Sequence, residues 1–175
     1  FRTFLKHGGN SKNGYESLNL GTNTADCCHN IKTNLKKIES TFPLHQVIAL
    51  KQTHGIDICT IDHHAPSRPL VGDGLTTKKN NFALLIQHAD CQAACFYDPQ
   101  NRAISIIHCG WRGNVQNIYQ KAVIHMQELY GSNPANLLVC ISPSLGPDHS
   151  EFIHYKTELP EPLWQFQHKP FYFDL

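Results

Sequence analysis

The sequence predicts an α+β fold. Strand-like and helix-like segments are interspersed along it, one pair of strands reads as a tight hairpin, and several apolar runs have the length of buried strands. The hairpin is the clearest of these. Residues 93–97 and 103–109 flank the turn Asp98-Pro99-Gln100-Asn101, which favours antiparallel neighbours over a doubly wound parallel sheet. The 175 residues suit one domain with its own core, and residues 1–175 are read as one unit without repeats. Apolar residues at 41% against 17% charged place the chain among globular proteins rather than disordered ones.

Residues 1–25 carry Gly8-Gly9-Asn10-Ser11 and Asn13-Gly14, read as turns between short strands. Residues 26–42 form an amphipathic helix in this reading. Ile31, Leu35, Ile38 and Phe42 recur at helical spacing, Asp26 caps the start and Pro43 follows the end. Segments 46–50 and 56–61 read as strands around Gln52-Thr53-His54-Gly55, and residues 62–74, with two prolines and two glycines, as a loop that contains His63-His64. The run 82–87 is a buried strand interrupted by His88-Ala89-Asp90-Cys91. After the hairpin, Gly110-Trp111-Arg112-Gly113-Asn114 opens a helix whose stripe is Val115, Ile118, Tyr119, Ala122, Met126 and Leu129, closed by Gly131. Residues 137–141 are a further strand, and the aromatic, proline-rich last 25 or so residues give no regular pattern.

Charge and hydropathy exclude some functions. Fifteen Lys and Arg against fourteen Asp and Glu is not the basic excess of a nucleic-acid binder. No apolar run approaches the ~20 residues of a membrane span. Seven cysteines cannot all pair within the chain, no CxxC occurs, and most lie in strand-like apolar runs, as reduced core thiols do. With no signal-peptide pattern at the start, the expected location is the cytoplasm. The near-neutral charge and aromatic tail permit a homodimer without requiring one.

His54, Cys91 and His108 each stand where a strand gives way to a loop. They are far apart in the chain, so no local spacing links them. What singles them out is polarity inside apolar runs: a buried His or Cys needs a partner, and a shared metal supplies one. Two imidazoles and a thiolate suit zinc, and three protein ligands leave a fourth position for water or substrate. The alternative is a cysteine acting as a small hydrophobe and two ordinary hydrogen-bonding histidines. At 110–114 the glycines admit a close ligand, helix amides attract anions, and Arg112 can fork onto phosphate; equally, the segment reads as a tight turn with Trp111 packed on the core. Asp73 reads as a general acid or base, as a carboxylate orienting a histidine, or as a turn residue.

Five ordered blocks carry a resemblance: Gln52-Thr53-His54-Gly55, Asp73-Gly74-Leu75-Thr76-Thr77, Ala89-Asp90-Cys91, His108-Cys109-Gly110-Trp111-Arg112-Gly113, and the stretch from Ile141 to Pro147. Together with His7-Gly8-Gly9-Asn10-Ser11 they resemble the laccase-domain family, first called multicopper polyphenol oxidoreductases and later read as zinc-dependent purine nucleoside phosphorylases. The resemblance implies an α/β sandwich of laccase-domain type with a mixed or antiparallel sheet, and zinc on His54, Cys91 and His108. It also implies phosphorolysis of adenosine, inosine and methylthioadenosine, with some adenosine deamination. Arg112 would then hold phosphate and Asp73 assist departure of the base. Family members run further, through a late Arg- and Gly-rich segment, so this chain is expected to lack that C-terminal part. Cys109 and Gly74 each stand where the family usually has Ala.

Two other chemistries use the same residues. A copper oxidase would need many histidines, typically in His-x-His pairs, and the chain has none, although the trio could take copper in vitro. A metal-free hydrolase would use Cys91 as nucleophile and His108 as base. A non-catalytic binding module is the remaining reading.

Overall fold

The computed structural model describes residues 1–22, 24–43, 46–62 and 68–175. The elements in chain order begin with α1 (Cys28–Ser40), β1 (Gln46–Lys51), β2 (Ile58–Thr60), β3 (Leu70–Val71), β4 (Gly74–Thr77) and β5 (Phe82–Leu85). The hairpin β6 (Gln92–Asp98) and β7 (Ala103–Cys109) follows, then α2 (Trp111–Val115), α3 (Ile118–Tyr130) and β8 (Leu138–Ile141). A short α4 (Tyr155–Glu158) and the small hairpin β9 (Gln167–Lys169) and β10 (Tyr172–Phe173) close the chain.

Two sheets and a helix form the layers. The larger sheet has the order β2-β4-β7-β6-β8, with β2 parallel to β4 and every other pair antiparallel. The smaller, β3-β1-β5, is parallel. Alternation along β7 explains the arrangement. Ala103, Ile107 and Cys109 pack with Ile118, Ala122 and Met126 of α3, while Ile106 meets Ile48, Leu75 and Phe82 between the sheets. Strand β4 is covered throughout, and its threonines are satisfied there: Thr76 Oγ1 donates to the Ile104 carbonyl (3.0 Å) and Thr77 Oγ1 to that of Ile61 (2.6 Å). Edge strand β8 is exposed along its length. Among the described residues no helix is long and apolar enough to cross a membrane.

The α+β expectation with mixed sheets holds, and several details are corrected. Residues 1–22 contain no strand. Their loops are pinned instead by buried Asn34 of α1, whose Nδ2 donates to Ser11 Oγ, the Ser17 carbonyl and the Asn19 carbonyl, and whose Oδ1 accepts from Asn10 N–H. The expected loop at 62–74 contains β3, while His63 and His64 lie outside the described residues. The single helix expected after Gly110 is two. Asn117 adopts left-handed φ +56°, ends α2, and accepts Gln120 N–H to cap α3. The break resets the buried face to Ile118, Ala122 and Met126, leaving Leu129 exposed; Gly131 closes α3 at φ +69°, as expected. Only one of the seven cysteines, Cys109, is fully buried, because Cys27 and Cys28 start an exposed helix and Cys140 lies on the sheet edge.

Candidate metal centre

Three loop ends meet at one corner of the larger sheet. His54 lies in the loop after β1, Cys91 immediately precedes β6, and His108 is the penultimate residue of β7. Their ligand atoms all lie within 4.8 Å of one another, with His54 exposed, Cys91 half-buried and His108 buried. The imidazoles stand edge to face at 4.9 Å and 87°. Gly110 permits the approach: a Cβ there would lie 3.0 Å from His54 Cδ2 and 3.3 Å from Cys91 Sγ. Exposure falls across the cluster from His54 through Cys91 to His108.

Asp73 builds this corner. It is fully buried just before β4, and its carboxylate accepts the backbone N–H groups of Thr53 (3.2 Å), His54 (2.9 Å) and Gly55 (2.7 Å) together with Thr53 Oγ1 (3.0 Å). Three successive amides converging on one anion fold the loop around it and hold His54 in left-handed φ +58°, a conformation that costs a residue with a Cβ. The other side of the carboxylate receives His108 Nδ1 at 2.9 Å. Burial raises the Asp73 carboxyl, but the bonds from His108, Gly55 and Thr53 outweigh it and leave the pKa below the ordinary value. Burial lowers His108, against the pull of Asp73, so the contact joins a neutral imidazole to a carboxylate rather than forming an ion pair. A carboxylate facing Nδ1 fixes the proton there and frees the Nε2 lone pair for a cation.

Further contacts hold the Cys91 loop. His88 Nδ1 donates to the Cys91 carbonyl at 3.0 Å, and the Gln52 side chain bonds both the carbonyl and the N–H of Gln87 at 2.7 Å each. Tyr119 Oη donates to Gln92 Oε1 at 2.5 Å, and Gln92 Nε2 to Ser144 Oγ at 3.2 Å. Leu145 N–H reaches the Asp90 carbonyl, which draws the 142–147 loop alongside. Sequence reasoning named Gln52, Thr53 and His88 only as members of motifs and gave them, like Gln92, no role of their own. The one available signal was their position beside the candidate ligands.

The Cys91 thiol is pushed up by burial, then by Asp90 and Asp73. A metal-free nucleophile needs the opposite shift, whereas a cation removes a thiol proton outright. That opposes the Cys–His hydrolase reading and suits a metal ligand. Arg112 is exposed, with its guanidinium 4.2 Å from the Trp111 ring, and among the described residues no carboxylate pairs with it. Trp111 meets Phe152 edge-on, and Phe152 meets Phe173, so this turn also anchors the C-terminal hairpin. Trp111 thus packs on an aromatic side chain of the C-terminal segment, and Arg112 stands exposed beside it. Gly113 lets α2 press on the His54 loop, since a Cβ there would lie 3.2 Å from the Gly55 carbonyl oxygen.

The donor set and the layered frame define an α+β protein built around a group of residues fit to hold one metal ion. The chain belongs to the multi-copper polyphenol oxidoreductase laccase family, whose pattern matches residues 1–170. The crystal structure of Bacillus licheniformis hypothetical protein YfiH has the same fold, with TM-score 0.84 over 97% of this chain and 70% of that one, at 28% identity. Among curated relatives, a purine nucleoside phosphorylase of Rickettsia prowazekii is 29% identical over 93% of this chain and 65% of its own. The purine nucleoside phosphorylase YlmD of Geobacillus stearothermophilus is 31% identical over 81% of this chain and 56% of its own. The chain thus spans less than two thirds of the length of these curated relatives.

Proposed function

We propose that the chain carries the metal centre of a zinc-dependent purine nucleoside phosphorylase, splitting adenosine, inosine or methylthioadenosine with phosphate into free base and ribose 1-phosphate. The observation that carries the reading is the convergence of His54, Cys91 and His108, with His54 exposed. The names of the relatives support the substrate class. The donors fit zinc: two imidazoles and one thiolate, a carboxylate fixing one tautomer, and a glycine where a side chain would intrude. Zinc held there would supply a Lewis acid at neutral pH, and adenosine deamination is a side reaction open to the same centre.

The chain's own groups divide the remaining work. Arg112, stiffened by Trp111, presents a fork of donors to phosphate. In phosphorolysis a phosphate oxygen bonds to C1′ of the ribose while the bond from C1′ to the base breaks, and the base leaves with a proton. Asp73 is read as a positioning residue in this scheme, since both its oxygens are engaged away from solvent. Purified protein incubated with inosine and phosphate should release hypoxanthine, retain zinc after purification without added metal, and lose both properties in Cys91→Ala. Undiminished release in Cys91→Ala would overturn the reading. Stoichiometric copper with phenol oxidation would favour the oxidase instead.

A further inference from the structure

Cys95 and Cys140 stand directly opposite one another in the ladder between β6 and β8. Opposed residues of an antiparallel pair project from the same face, with Cβ atoms roughly 4.5–5.5 Å apart. Both thiols are free, Cys140 is exposed and Cys95 is half-buried. From this register we infer that Cys95 and Cys140 form a reversible cross-strand disulfide site, the substrate class being low-molecular-weight disulfides such as oxidised glutathione. The site is separate from the metal centre and independent of the phosphorylase reading.

The backbone ladder sets the character of the bond. Ser142 N–H donates to the Ala93 carbonyl at 2.8 Å, which makes Ala93 and Ser142 a hydrogen-bonded pair. Such pairs alternate, so Cys95 and Cys140, two residues further along, are hydrogen-bonded as well. In that kind of pair the Cα atoms are about 5.5 Å apart, within reach of a disulfide, yet the Cβ atoms sit at the wide end of their range. A disulfide wants the Cβ atoms at about 3.8 Å, so closure must pull β8 toward β6 by roughly 1.5 Å or more. Edge strand β8 has no neighbour on its far side among the described residues and can give, whereas a central strand could not. The product is a strained, exposed disulfide of the easily reduced kind.

The chemistry balances through thiol–disulfide exchange. The Cys140 thiolate attacks one sulfur of the small disulfide, forming a mixed disulfide and expelling one thiolate. The Cys95 thiolate then attacks Cys140 Sγ, closing the protein disulfide and expelling the second. Two protein thiols are oxidised and one small disulfide is reduced to two thiols. Exposure orders the steps, because Cys140 meets the reagent and Cys95 resolves it.

Beyond the two cysteines the ladder continues to the start of β6. Strand β8 runs into Ser142, whose hydroxyl accepts Ala93 N–H, and Ser144 holds Gln92.

The test incubates the full chain with oxidised glutathione under native conditions, caps remaining thiols with iodoacetamide, and maps peptides by mass spectrometry with and without dithiothreitol. The expected result is an intramolecular link between Cys95 and Cys140 that dithiothreitol reverses. It should be lost in C95S and in C140S, retained in the C27S and C28S double variant, and accompanied by an unchanged far-ultraviolet dichroism spectrum. Cys140 halted as a glutathione adduct, Cys140 left unmodified, a link to Cys27, Cys28 or a second chain, or a link found only after the spectrum has collapsed would each overturn the inference.

Discussion

Asp73→Asn removes one negative charge and turns one acceptor oxygen into a donor at a position with no solvent exposure. Five donors converge there: Oδ2 serves Thr53 N–H, Thr53 Oγ1 and Gly55 N–H, and Oδ1 serves His54 N–H and His108 Nδ1. If the amide nitrogen replaces Oδ2 it opposes two backbone donors, so the gentler placement is on the Oδ1 side. There His54 N–H still loses its acceptor, which costs about 1–3 kcal/mol, and the surviving bonds lose their charge assistance. A total of about 3 kcal/mol of stability should go. The amide would also drive the His108 proton to Nε2, the nitrogen needed by a cation, and loss of such an orienting partner weakens metal binding by about 10–100-fold. Urea unfolding of the metal-free chain measures the first effect, and a zinc titration against a fluorescent chelator the second. The sign of the pH dependence is also set. The folded pKa of Asp73 lies below its ordinary 3.8, so its stabilisation is present above that value and is lost as pH falls through the folded pKa. The Asn variant should lack this acid limb. Wild-type zinc affinity and an unchanged unfolding midpoint in Asp73→Asn would refute the reasoning.

Gly110→Ala places a methyl group 3.0 Å from His54 Cδ2 on backbone that alanine readily adopts, so zinc affinity should fall several-fold while the urea midpoint barely moves. Because burial holds the Cys91 thiol protonated, zinc binding at neutral pH should release roughly one proton from it. Calorimetric titrations in two buffers of different ionisation enthalpy would count that proton. Asn34→Asp sets a carboxylate against the Ser17 and Asn19 carbonyls in a fully buried position, and should cost about 3 kcal/mol or more in urea unfolding. Burial lowers His108, so in the metal-free chain its contribution is complete above 6.5 and is lost as pH falls from there toward the folded pKa; a pH series of melting temperatures reads it.

The hairpin of β6 and β7 was legible because period-two alternation and a turn signal coincide, and Cys91 and His108 were legible because each interrupts an apolar run. Their meeting with His54 was expected from shared polarity and from the resemblance, not from any local spacing. Convergence depends on β1 and β7 lying in different layers, and nothing local encodes that. Strand β4 escaped notice because Gly-Leu-Thr-Thr is short and half polar, its threonines being satisfied only by carbonyls from other strands. The turn-rich first residues looked like strand connections, yet one asparagine of α1 takes up the donors and acceptors that strands would have used. Asn117 is polar and unremarkable in sequence, and its left-handed backbone is what splits the expected helix.

The His54 loop, the start of β4 and the end of β7 all depend on one carboxylate, so the corner that would hold a cation is also a seam where two layers are stitched. Filling it and holding the layers together are then one equilibrium. Free zinc at a hundred times its dissociation constant would add about 2.7 kcal/mol to the folded state by mass action. Heat resistance therefore becomes a gauge of occupancy, and chelation a way of loosening the whole corner at once.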